Sequence, residues 1–296
     1  SAGREGRKFS AGNGVTARLP LPGILAARAE KTDTRKEYEV IREAFRRLML
    51  FWENSAERKD IIEDIITLRA SFLVDRALTG LRLDLDRALD ILRGHNEFTT
   101  ERERRQRDIL LAAVDNLVDF AAAEETALLE ELPGEPRVEE IAAYETLCER
   151  YNLTYAAREN DQVLFAASMA AWWLTISPET VVTYMTQGDE RVRPWHLSLE
   201  GLSYRKSEFP PELIPPIEWG CRCFLVADGF ASVHGALPAG EEYRGRVDPV
   251  FRESLATGGR IFSSAHAYFS KPLPEEVQQI VKRLKERFYH VQDHAR

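Results

Sequence analysis

Residues 189–201 read Asp189-Glu190-Arg191-Val192-Arg193-Pro194-Trp195-His196-Leu197-Ser198-Leu199-Glu200-Gly201, and after residues 202–214 the chain resumes Pro215-Pro216-Ile217-Glu218-Trp219-Gly220-Cys221-Arg222-Cys223. These are two short rigid pieces joined by a loop. Pro194 fixes φ just before Trp195 and His196, and Gly201 permits a turn with φ above zero. Pro215 and Pro216 hold the approach to the second piece extended. Gly220 lets the backbone turn tightly into Cys221-Arg222-Cys223. Phe224, Leu225 and Val226 then read as a short buried strand.

The ordered pattern Asp-x-Arg-x-Arg-Pro-x-His-x(4)-Gly, followed by Pro-Pro-x(2)-Trp-Gly-Cys-Arg-Cys, is carried by Asp189, Arg191, Arg193, Pro194, His196, Gly201, Pro215, Pro216, Trp219, Gly220, Cys221, Arg222 and Cys223. It resembles the phage Mu F-like minor head proteins, a head-morphogenesis family of tailed phages. The likeness covers residues 140–230, including a weaker helical lead-in. It implies a structural rather than catalytic protein, present in a few copies near the portal vertex, acting in head assembly or DNA packaging. Portal and capsid proteins would be its partners, in the virion head and, during assembly, in the bacterial cytoplasm. Members often carry Asn-Pro-Gly after the Cys-Arg-Cys segment, where this chain has Ala256-Thr257-Gly258-Gly259. The C-terminal part is therefore expected to differ in detail. Two other classes stay open: a Mu F-like delivery domain of a phage-derived toxin system, and a metal-dependent enzyme using Asp189, His196 and Cys221.

Working outward, 296 residues suit one large or two ordinary domains, and 44% hydrophobic residues can supply a core. The net charge of −8 argues against a general polyanion binder. Its sign is uneven, because residues 1–36 hold eight Lys/Arg and three Asp/Glu, a net of +5, which leaves −13 for the rest. That arm, residues 1–33, is rich in Gly and Arg and broken by Pro20, Pro22 and Gly23. It suits a flexible terminus or a segment lying on DNA or on a neighbouring subunit. No apolar run reaches the ~18 residues of a membrane span, and no signal peptide is evident. Three cysteines, two of them in C-x-C, fit a reducing compartment.

The N-terminal part reads as helices. Tyr38, Ile41, Phe45, Leu48 and Trp52 make one apolar stripe. A second helix carries Ile61, Ile62, Ile65, Ile66, Leu68, Phe72 and Leu73 and is apolar on much of its surface. Leu81–Leu92 ends at Gly94, a C-cap candidate, and Thr100 with Glu103 forms a capping box before a long helix through Leu132. Pro133-Gly134-Glu135-Pro136 punctuates the chain, dividing a helical domain (34–132) from a Mu F-like α+β domain (137–296). In the latter, Ile141 to Tyr151 and Gln162 to Leu174 are helical, with Cys148 and the Trp172/Trp173 pair in the core. Ser177 and Pro178 suggest the start of one more short helix. A final helix from Pro274 turns Val277, Ile280, Val281, Leu284 and Phe288 inward. The fold class is α+β, with few short strands.

The chemistry centres on residues 189–223. His196, Cys221 and Cys223 are soft ligands suited to zinc, one short of a tetrahedral set, with His234 and His266 as candidates for the fourth place. The alternative is a polar core in which His196 bonds a backbone carbonyl and the two cysteines pack on opposite strand faces. Arg191, Arg193 and Arg222 suit bidentate pairs that pin irregular loops, through Asp189–Arg222 or Asp189–Arg193. There is no P-loop, dinucleotide fingerprint or HExxH motif.

Overall fold

The computed structural model describes residues 33–94, 100–228 and 242–290. The basic arm lies outside the described residues except for Asp33, whose side chain caps the first helix by accepting the Arg35 N–H. That helix, α1 (Thr34–Leu50), buries the expected stripe of Tyr38, Ile41, Phe45 and Leu48. Asn54 caps α2 (Ser55–Leu81), a helix apolar on most sides and flanked by neighbours along its length. The segment expected from Leu81 to Leu92 is shorter, because Arg82 adopts φ +58 and ends α2; α3 (Leu85–Arg93) then starts afresh at the Asp84 cap. The capping box at Thr100 and Glu103 opens α4 (Glu101–Glu130). Next, α5 (Ile141–Glu149) runs through one π-helical segment, Arg150–Tyr155, into α6 (Ala156–Thr175). No short helix follows: Ser177–Thr180 is a turn, closed by the Thr180 N–H on the Ser177 carbonyl.

Three strands follow: β1 (Val181–Met185), β2 (Ser203–Arg205) and β3 (Phe224–Asp228), in the order β2-β1-β3, antiparallel throughout. The chain is thus mostly helical with a small antiparallel sheet, an α+β fold with a helical N-terminal part. Val182 and Tyr184 point into the core with the alternation a half-buried strand requires, and Tyr184 faces Leu225 across the sheet. Between β1 and β2 the helical turn α7 (Pro194–Leu197) starts with proline at its first position. The short α8 (Glu242–Arg246) precedes α9 (Glu275–Tyr289), which follows Pro274 and buries the five residues expected of it.

Two apolar clusters hold these elements, and each draws on both sides of Pro133–Pro136. The larger joins Leu73, Leu117, Phe120 and Ala167 to Tyr184, Phe262 and Leu284; the smaller joins Phe45, Ile65, Phe72 and Leu128 to Cys148 and Tyr151. Helices α2 and α6 pack so closely that a Cβ on Gly80 would come within 2.6 Å of the Ala167 Cβ and 2.8 Å of the Leu164 carbonyl.

At this seam lies a buried ionic node. Arg69 on α2 is 1% exposed. Its guanidinium donates to Glu124 Oε2 on α4 at 2.6 Å, and to Glu159 Oε2 and Asn160 Oδ1 on α6 at 2.7 and 2.8 Å. Each of its three nitrogens donates, and two carboxylates balance its charge, which is what lets a buried guanidinium be tolerated. Burial, and then the charge of Glu124, hold the Glu159 carboxyl well above its ordinary range, and the same two causes push Glu125 up to about 8.

Asn116 on α4 ties down the segment that supports the sheet. Its amide donates to the Phe262 carbonyl, and its oxygen accepts the Ile261 and Phe262 N–H groups. Each of those groups would cost ~1–3 kcal/mol if left buried without a partner. Lys206, just past β2, closes the end of α6 by donating to the Trp173 and Ile176 carbonyls at 2.7 and 2.6 Å.

Candidate functional site

The sheet brings the two pieces of residues 189–223 together. After β1, Gly188 turns the chain with φ +64, and Asp189 accepts the Arg191 N–H to start a loop. Pro194 then begins α7, whose single turn carries His196 inward. Gly201, at φ +82, returns the chain so that its N–H meets the Tyr184 carbonyl and β2 can pair with β1. The Pro215–Pro216 peptide is cis, and Gly220, at φ +69, makes the bend before Cys221. These two glycines do what the sequence demanded of them, since other residues rarely occupy that region.

Two links cross between the pieces at their outer edge. Arg222 grips Asp189 with a bidentate pair, 2.7 and 2.5 Å, and this holds the Asp189 carboxyl below its ordinary value. Arg193 donates to the Trp219 carbonyl at 2.8 Å and pairs through Nε with Glu218 Oε1 at 2.9 Å. Of the two Asp189 partners considered, Arg222 is therefore the one used, and Arg193 clamps the second piece elsewhere. Arg191 is exposed and lends the loop its backbone N–H.

Inside the clamp, His196, Cys221 and Cys223 meet. They are 1%, 4% and 2% exposed, and one ligand atom from each lies within 4.8 Å of the others. His196 Nδ1 stands 3.2 Å from Cys223 Sγ. Its other nitrogen, Nε2, faces Glu218 Oε1 at 2.5 Å, without regular hydrogen-bonding alignment. Both cysteines are free thiols, and both turn toward the imidazole. Opposite strand faces were the wrong expectation: residues i and i+2 of an extended segment share one side. A backbone carbonyl was the wrong partner for His196 as well, since a thiol and a carboxylate occupy its two nitrogens.

The fourth participant is Tyr184, fully buried on β1. Burial, and then the adjacent Cys221 and Cys223, push its phenol well above its ordinary value. Its hydroxyl has no aligned hydrogen-bond partner. Cys223 is drawn down to about 7, first by a hydrogen bond from the Cys221 thiol, against the opposing effect of burial. Cys221, as the donor, is pushed up.

Trp219 docks this assembly on the helical core. Its ring stacks on Phe262 with centroids 5.7 Å apart and meets Phe251 edge-on at 5.0 Å; Phe262 in turn stacks on Phe120 of α4 at 4.2 Å. His266 belongs to this aromatic cluster, where its Nδ1 accepts the Tyr268 N–H. It is not part of the His–Cys group, so it does not supply the fourth ligand, and His234 lies outside the described residues.

Two participants were missed in sequence. Glu218 lies inside the quoted motif, where nothing in the local sequence marks it as the partner of an imidazole. Tyr184 belongs to Val181-Val182-Thr183-Tyr184-Met185, whose β-branched and aromatic run is a strand signal.

Chemically, Cys223–His196–Glu218 has the order nucleophile, base, carboxylate found in covalent catalysis. The sulfur and imidazole are sealed from solvent, so this conformation offers a substrate no approach. Asp189 is absent from that line, being engaged with Arg222.

Comparison with known proteins finds a stretch of 88 residues, 29% of this chain, that is 39% identical to an uncharacterized protein of the archaeon Methanocaldococcus jannaschii. The matched stretch spans 11% of that protein's length. No family model and no solved structure matches the chain. Among the described residues, no helix is long and apolar enough to cross a membrane.

Proposed function

We propose that the chain is a structural minor head protein of a tailed phage or prophage, acting in head morphogenesis or DNA packaging beside the portal. The resemblance to the phage Mu F-like family supports the reading. The observation that carries it is that the spaced motif residues converge on one closed node, with Asp189–Arg222 outside, Arg193–Glu218 between and His196–Cys223 within. A motif that builds a sealed scaffold, rather than an open cleft, suits a docking module. Portal and capsid proteins are the proposed partners, and the basic arm is the part suited to DNA.

The test is binding of the purified full chain to the portal protein encoded at its own locus, measured by analytical ultracentrifugation. A specific complex is expected, with portal and terminase genes as neighbours. A locus without head genes, or a portal that ignores the chain, would contradict the reading. A salt titration of DNA binding with and without residues 1–33 separates the arm's role: binding lost on deletion assigns DNA to the arm, and equal binding removes DNA from its partners.

A further inference from the structure

The geometry points to a structural zinc site at the centre of the clamp, ligated by His196 Nδ1, Cys221 Sγ and Cys223 Sγ, with the Tyr184 hydroxyl at the fourth position. This inference is independent of any role in a phage head.

Four observations carry it. First, the donors are the right kind and the right distance apart. Zinc bonds of ~2.3 Å to sulfur and ~2.1 Å to nitrogen place tetrahedral ligand atoms about 3.6–3.8 Å from one another. Here the three donor atoms lie within 4.8 Å, and the imidazole nitrogen is 3.2 Å from one sulfur, so small side-chain adjustments close the set.

Second, the imidazole is oriented as a ligand. A zinc-bound histidine commonly gives its other N–H to a carboxylate, which fixes the tautomer. Glu218 stands 2.5 Å from Nε2 and is itself held by Arg193 at 2.9 Å. A proton on Nε2 leaves the Nδ1 lone pair directed at the sulfurs.

Third, Tyr184 is a fully buried hydroxyl without an aligned partner, beside both thiols. Buried polar groups are ordinarily satisfied, and a cation between the thiols would engage the lone pair of this oxygen.

Fourth, the charges cancel. Two thiolates, a neutral imidazole and a neutral phenol around Zn²⁺ sum to zero, which suits a site sealed from solvent. Two thiols and imidazole select zinc over the hard cations magnesium and calcium, which take oxygen ligands. Loading replaces two S–H bonds with two Zn–S bonds and releases two protons.

The experiment begins with full-length protein purified without chelator and supplied with zinc chloride. About one zinc per chain is expected by elemental analysis. Cobalt chloride in place of zinc should give tetrahedral visible bands and thiolate-to-cobalt charge transfer, kept by Cys148→Ser and lost in Cys221→Ser and Cys223→Ser. Glu218→Gln, a positioning change, should weaken zinc about 10–100-fold in competition with a chromogenic chelator. Tyr184→Phe should weaken it without abolishing the thiolate bands. Should the cysteine variants fail to fold, wild type answers alone: stoichiometric zinc, released as a mercurial titrates the thiols, supports the site. Wild type that takes up no zinc and melts identically with zinc and with EDTA overturns it, as would cobalt spectra without thiolate bands.

Discussion

Among the described residues, the buried polar nodes around Arg69 and His196 solve opposite problems. Around Arg69, charge is buried and each of the three guanidinium nitrogens meets a carboxylate or an amide. Around His196, an imidazole and two thiols are buried within 4.8 Å of one another, beside a phenol hydroxyl left unaligned. The first node neutralises its cation with protein carboxylates, although Glu124 Oε1 is left without a hydrogen-bond partner; the second has the composition of a ligand shell. The difference shows how to tell a staple from a site inside a core. A staple pairs opposite charges, whereas a site gathers several metal-ligating atoms in one place.

The strongest way to break the comparison is to remove Arg69. Arg69→Ala strands the Glu124 carboxylate with no buried counter-ion, and a loss of about 3–5 kcal/mol is expected in denaturant melts. A node that were merely decorative would lose under about 1 kcal/mol, as exposed pairs do.

Acid and base should then pull the regions apart by about half that effect. His266, in the aromatic seam between Phe120 and Trp219, is lowered to about 4 by burial, with only Asp248 opposing. Its folded value lies below its unfolded value of about 6.5, so the folded state is penalised as pH falls. A stability loss on the order of 2–3 kcal/mol is expected between pH 6.5 and 4. Glu125, raised to about 8, has the opposite sign: its contribution is full below about 4.5 and is lost as pH rises through 8. Melting temperature against pH should show both limbs. His266→Gln should flatten the acid one and Glu125→Gln the alkaline one. Unchanged limbs in those variants would place the titrating groups elsewhere.

What could be read in advance follows from what local sequence encodes. The stripes on α1 and α9 and the Thr100 cap were legible because helix period and capping chemistry are local. The turns at Gly201 and Gly220 were legible because few residues tolerate their φ. Arg69, Glu124 and Glu159 were not. A charged residue inside an amphipathic helix looks solvated until its partners, 55 and 90 residues away, are known. Glu218 and Tyr184 were hidden for the same reason, since their roles exist only once β1, α7 and the Cys-Arg-Cys segment stand side by side. Ser177-Pro178 carried a helix-start signal, but β1 begins at Val181, leaving room only for a turn.

The central claim is that the two pieces of residues 189–223 meet in one buried unit. Its most direct test is a double-mutant cycle between His196 and Cys223, with His196→Ala, Cys223→Ala and the pair compared by chemical denaturation. Each single change should cost ~1–3 kcal/mol. The pair should cost little more than the larger of the two, a coupling of about 1 kcal/mol or more. Effects that add to within about 0.3–0.5 kcal/mol would mean that the two residues act separately, and would contradict the account.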